Sequence, residues 1–255
     1  MSRPISAASE LPAAPDLPTW LRPLADGASR VRPEELSRLL PPPEGGRRSA
    51  VLILLGADED GPNVLLTERA PTLRAHAGQP SFPGGRLDPS DDGPVAAALR
   101  EANEETGLDP DGVEVFAVLP DLFLTPSRSV VTPVLGWWRR PTSVRVVDAA
   151  EVASVHVVRI ADLVDPTNRL RVSHPSGYVG PAFTVAGLLV WGFTAGLLSQ
   201  VLRLGGFERP WDADRVEPLP ADVVDLATRD QAAAEVTSDN HLDPADHRRD
   251  RRGGG

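Results

Sequence analysis

The chain contains no cysteine and no lysine. Without cysteine, disulfides and thiolate metal sites are excluded, which fits the cytoplasmic location expected here. Without lysine, all 26 basic residues are arginine. Alanine and proline are abundant as well, a bias that coding composition produces as readily as function, so arginine number alone points to no site. The formal net charge of -10 argues against nonspecific binding to nucleic acid or to an anionic membrane. From Met1 to Leu24 there is no apolar core of the kind a signal peptide needs, and none is expected. No charged residue occurs from Tyr178 to Leu202, a run long enough to span a bilayer. Its glycines, Pro181, Thr184, Thr194, Ser199 and Gln200 argue instead for a strand near Ala182–Ala186 followed by a buried helix from about Leu188 to Leu204.

With 41% apolar residues over 255 positions, the chain can bury one sizeable core. Residues 1–45 are rich in Pro, Ala and Ser and are expected to form an N-terminal arm, with a helical turn or two in Pro33–Leu40. Residues 218–255 end in a run of Asp, Arg and Gly and are expected to be a mostly disordered acidic and Arg-rich tail. Between them, Ser49–Leu55 and Asn63–Glu68 form apolar runs around the turn-forming Asp58–Pro62, which predicts a hairpin. Pro94–Thr106 predicts a helix, with Pro94 in its first turn and Gly107 just beyond its end. Val113–Leu119, Val130–Trp138 and Val155–Val158 predict further strands, and Ile160–Val164 a short helix. The interleaving predicts an α/β fold, a mixed sheet covered by helices on both faces.

Chemistry concentrates on the Pro94–Thr106 helix. Glu101, Glu104 and Glu105 stand three and four residues apart, on one helical face. Three like charges destabilise an isolated helix unless a divalent cation turns repulsion into coordination, and Mg²⁺ and Mn²⁺ favour oxygen ligands. A solvated acidic face is the plainer alternative. Gly84 and Gly85 can bring backbone close to a ligand. Arg100 can pair with an upstream carboxylate, Asp91 or Asp92, and hold the loop against the helix. Upstream, Arg69 and Arg74 lie in a basic loop suited to phosphates, while His76 reads as an ordinary loop histidine. Glu151 is an extra acid read as structural or surface.

The stretch from Gly85 through Arg100, Glu101, Ala102, Glu104, Glu105, Gly107 and Leu108 resembles the Nudix box. Its first half departs from the general pattern, being one residue longer and carrying Asp in place of Glu. Leu65-Leu66-Thr67-Glu68-Arg69-Ala70, with Arg74, Gly78 and Phe82-Pro83-Gly84-Gly85, resembles the signature of the coenzyme A pyrophosphatase branch of that family. The resemblance implies a Nudix-type α/β/α sandwich over residues 46–217, with Mg²⁺ or Mn²⁺ held by Glu101, Glu104 and Glu105. It implies hydrolysis of coenzyme A or a derivative to 3′,5′-ADP and 4′-phosphopantetheine, with Glu101, Glu104 and Arg100 catalytic and Arg69, Arg74, Gly84 and Gly85 binding substrate. The alternatives are a Nudix hydrolase of ADP-ribose or NADH, and a noncatalytic sensor of the same fold; intact box glutamates count against the sensor. The expected partner is a small-molecule substrate, with a homodimer as an option, and neither nucleic acid nor membrane.

Overall fold

The structure, a computed structural model, describes residues 16–37, 41–42, 45–73, 76–124 and 128–226. Its centre is strand β1 (Arg47–Asp58). The run Val51–Leu55 is apolar at every position because the strand is buried on both faces. Ala50, Leu52 and Leu54 face one core, while Ile53 and Leu55 face the other. The predicted hairpin forms between β1 and β2 (Gly61–Arg69), closing at the Asp58–Gly61 pair. Two short strands, β3 (Pro80–Ser81) and β4 (Gly84–Arg86), pair antiparallel to β2 and β1 respectively.

Helix α3 (Pro94–Thr106) has the predicted bounds, following α1 (Arg22–Ala28) and α2 (Pro33–Leu36) in the chain. Strands β5 (Val113–Val118), β6 (Leu122–Leu124), β7 (Ser129–Trp138) and β8 (Val152–Arg159) complete the main sheet. Its order is β3-β2-β1-β7-β5, with β4 on β1, β6 on β7 and β8 on β2. β1 and β7 run parallel and the other pairs antiparallel, so the sheet is mixed. After the short helix α4 (Ile160–Leu163), a second sheet forms from β9 (Arg169–Ser173), β10 (Val179–Val185), β11 (Leu188–Val190) and, after helix α5 (Gly192–Leu204), β12 (Val216–Pro218).

One face of the main sheet is covered by α3, whose Ala97, Ala98 and Ala102 are fully buried and let the helix lie close. The other is covered by α1, α5 and the second sheet. The mixed α/β layering expected from sequence is therefore present.

Three expectations need correction. The helix expected from Leu188 begins at Gly192, because Ala186 and Gly187 take positive φ (51° and 78°) and turn the chain into a hairpin that pairs Val185 with Leu188. The expected arm is in part core: Leu17, Leu21, Leu24, Ala28 and Leu36 are buried, since α1 supplies an apolar stripe that α5 covers. The expected tail is ordered through residue 226, with Leu219 buried against the second sheet. The rest of that tail lies outside the described residues. Among the described residues no helix is long and apolar enough to cross a membrane.

Candidate active site

Helix α3 is held in register by its ends. Pro94 enters without needing a hydrogen bond, and Gly107, at φ 68°, returns its N–H to Asn103 O at 2.8 Å. The small buried face leaves Glu101 and Glu105, one turn apart, directed at the backbone of β4. Gly84 N–H donates to Glu105 Oε2 at 3.2 Å. A β-carbon on Gly85 would overlap the Glu101 carboxyl group, and one on Gly84 would overlap the Ala50 carbonyl oxygen. Gly84 is thus demanded by the neighbouring strand, while Gly85 leaves room for the Glu101 carboxylate.

Glu105 is 2% exposed. Burial pushes its carboxyl from the ordinary 4.5 up to about 7, against the opposing pull of Arg69 and of the Gly84 N–H. Burial also raises Glu101, again opposed by an arginine, Arg100. Arg69, at the end of β2, places Nη1 3.9 Å from Glu105 Oε1. Its Nε is buried and finds no hydrogen-bond partner among the described residues.

The third carboxylate comes from outside the helix. Oxygen atoms of Glu101, Glu105 and Glu151 all lie within 4.8 Å of one another. Glu151 closes the loop after β7, where Asp148 O accepts from the N–H of Glu151 (3.1 Å) and of Val152 (2.9 Å). Its own carbonyl accepts from Ala70 N–H at 2.8 Å, tying it to the residue after Arg69. By sequence alone Glu151 reads as a structural or surface acid. No local spacing marks it; only the pairing of β8 with β2, which sets Val152 against Arg69, brings it to the site.

Glu104 stands apart from this trio. It is exposed, and its Oε2 accepts from Arg100 Nη1 at 2.9 Å. Arg100 pairs with Asp91 through two bonds of 2.9 Å, so Asp91 rather than Asp92 is its upstream partner. It also donates to Arg86 O at 3.0 Å and places Nη1 3.1 Å from Glu101 Oε1. The Arg100 hydrogen bonds hold the Asp91 carboxyl below the usual range. Arg100 therefore clamps the loop between β4 and α3 and orients two box glutamates. Arg74 lies outside the described residues. His76 sits in a turn at φ 58°, with Nδ1 3.1 Å from Gln79 Oε1.

Three carboxylates, one deeply buried, with two arginines at their edge, form a site that repels itself when fully ionised. A divalent cation with a preference for oxygen fits this donor set.

Comparison with known proteins gives one family. The NUDIX domain profile matches residues 46–177. The chain is 38% identical over 171 residues to NudL of Citrobacter koseri, an uncharacterized Nudix hydrolase, covering 62% of this chain and 84% of that protein. It is 39% identical over 176 residues to NudL of Cronobacter sakazakii, covering 64% and 85%. Among solved structures, the Nudix hydrolase RenU of M. smegmatis aligns with a TM-score of 0.46 at 20% identity, over 66% of this chain and 92% of that one.

Proposed function

Because this chain belongs to the Nudix family, we propose that it hydrolyses the diphosphate of coenzyme A or a derivative, giving 3′,5′-ADP and 4′-phosphopantetheine or its acyl form. The observation that carries the hydrolase reading is the Glu101, Glu105 and Glu151 cluster beside the Gly84–Gly85 backbone. The choice of coenzyme A rests on the upstream signature, Leu65–Ala70 with Arg74, Gly78 and Phe82–Gly85.

Glu101, Glu105 and Glu151 would hold Mg²⁺ or Mn²⁺, and Glu104, paired with Arg100, is the further box carboxylate that the family resemblance assigns to the metal. Such a cation, when bound, neutralises diphosphate oxygens and lowers the pKa of the attacking water. Glu101 or Glu104 orients that water and takes its proton as the oxygen attacks phosphorus and the bridging P–O bond breaks. Arg69 holds a diphosphate oxygen through the guanidinium end that lies beside Glu105. Arg100 acts on the reaction through the carboxylates it orients. Arg74 is assigned to substrate by the signature alone.

The test is a substrate panel of coenzyme A, acyl-coenzyme A, ADP-ribose and NADH with Mg²⁺ or Mn²⁺, read by product analysis. Coenzyme A forms should give the highest kcat/KM and release 3′,5′-ADP. Preferred cleavage of ADP-ribose or NADH would move the assignment to another nucleoside diphosphate derivative. No turnover of any member would overturn it.

A further inference from the structure

We propose that Leu226, with the helical turn that carries it, is a positioning element of the substrate site, acting through Gly78 on the backbone that carries Arg69. The proposal rests on the reading of Arg69 as a diphosphate-binding residue.

The segment is anchored far from the carboxylates. Leu219 is buried and its N–H donates to Ser173 O at 3.0 Å. Residues 221–226 are helical, and Val223 and Val224 pack with Leu170, Val172, Ala182 and Trp191 on the second sheet. Leu226, two residues further on, comes beside Gly78. A β-carbon built on Gly78 would stand 3.3 Å from Leu226 Cδ1, and Gly78 has φ +65°. Glycine therefore serves twice: it takes the left-handed turn and leaves room for the leucine.

Gly78 sits at the mouth of the loop. Its N–H donates to Arg69 O at 3.1 Å, and Arg69 N–H donates to Gln79 O at 3.1 Å. The next residue, Ala70, bonds to Glu151 O at 2.8 Å. Leu226 thus stands beside the peptide where the substrate arginine and the loop of the third carboxylate meet. Arg69 depends on that backbone because its guanidinium is weakly tethered: Nε is unpartnered and Nη1 is 3.9 Å from Glu105. If the Arg69–Gly78 pairing opens, substrate must bind an arginine that is correctly placed for less of the time. The apparent affinity falls by that fraction, while turnover of the bound complex is unchanged.

The experiment compares the full chain with Leu226→Ala and Leu226→Met. It measures KM and kcat for coenzyme A at saturating Mg²⁺, and amide hydrogen exchange at Arg69, Gly78 and along α3. In Leu226→Ala the Arg69 and Gly78 amides should exchange roughly tenfold faster with α3 amides unchanged, since a lost apolar contact opens one local unit. KM should rise roughly tenfold with kcat within about twofold of the original, and methionine should restore both readouts. Unchanged exchange at Arg69 and Gly78 overturns the proposal. Faster exchange with an unmoved KM overturns it, as does acceleration throughout the chain with a lowered Tm. Turnover of the substrate panel by the unsubstituted protein decides the proposed function separately.

Discussion

A carboxylate shut away from water beside two others is costly to ionise, and Glu105 bears that cost most heavily. Its carboxyl titrates near 7 in the fold against about 4.5 in the unfolded chain. Between those values the unfolded state releases its proton first, so rising pH weakens the metal-free fold, and the penalty is complete above pH 7. The shift corresponds to about 3 kcal/mol. Glu105→Gln should therefore stabilise the metal-free protein by up to about that amount at pH 8, with the gain gone by about pH 4.5. Denaturant titrations in EDTA at the two pH values measure this; equal stability of both proteins at pH 8 would refute the burial penalty. The same substitution should remove most activity at every metal concentration, since an amide oxygen is a weaker ligand without charge. Arg69→Ala should lower kcat/KM by about 10- to 100-fold, the worth of one charge-assisted contact. Arg69 lies beside the carboxylate cluster, where the diphosphate would sit. The loss should accordingly be equal for coenzyme A and dephospho-coenzyme A; a loss confined to coenzyme A would place Arg69 at the 3′-phosphate instead.

At the scale of elements, the site is the meeting of one helix with one short strand. Helix α3 was legible because its signals are local: proline at the start, glycine at the end, alanines on one face and glutamates on the other. The Arg100–Asp91 clamp was legible in part, because the motif placed an acid at one of two positions and the turn geometry chose between them. What Gly85 does was hidden, since it depends on how near α3 comes to β4. Gly85→Ala tests that closeness. Its new β-carbon would meet only the far end of the Glu101 side chain, so Tm should hold while Glu101 is displaced. Metal affinity should fall by about 10- to 100-fold, as measured by titration of the folded variant. A variant with unchanged metal affinity would show that Glu101 contributes little to metal binding.

For the whole molecule, the two sheets and the helices between them make a body larger than the catalytic motifs require. Leu21 and Leu24 are fully buried, so residues that looked like an arm carry part of the stability. Leu21→Ala should cost about 2–5 kcal/mol in denaturant unfolding, as expected for a leucine truncated in a packed core. A cost below about 1 kcal/mol would mean that α1 is peripheral. The central hairpin, α3 with its caps, the three box glutamates and the family were all readable from local pattern. Each of these rests on neighbours within about one or two turns of chain, where propensity and periodicity act directly. Long-range packing sets Glu151 with Glu101 and Glu105, and Leu226 beside Gly78. It also makes Leu188–Val190 a strand. These outcomes follow from strand pairing and layer packing between segments far apart in the chain, and no local pattern encodes a partner that arrives from another element.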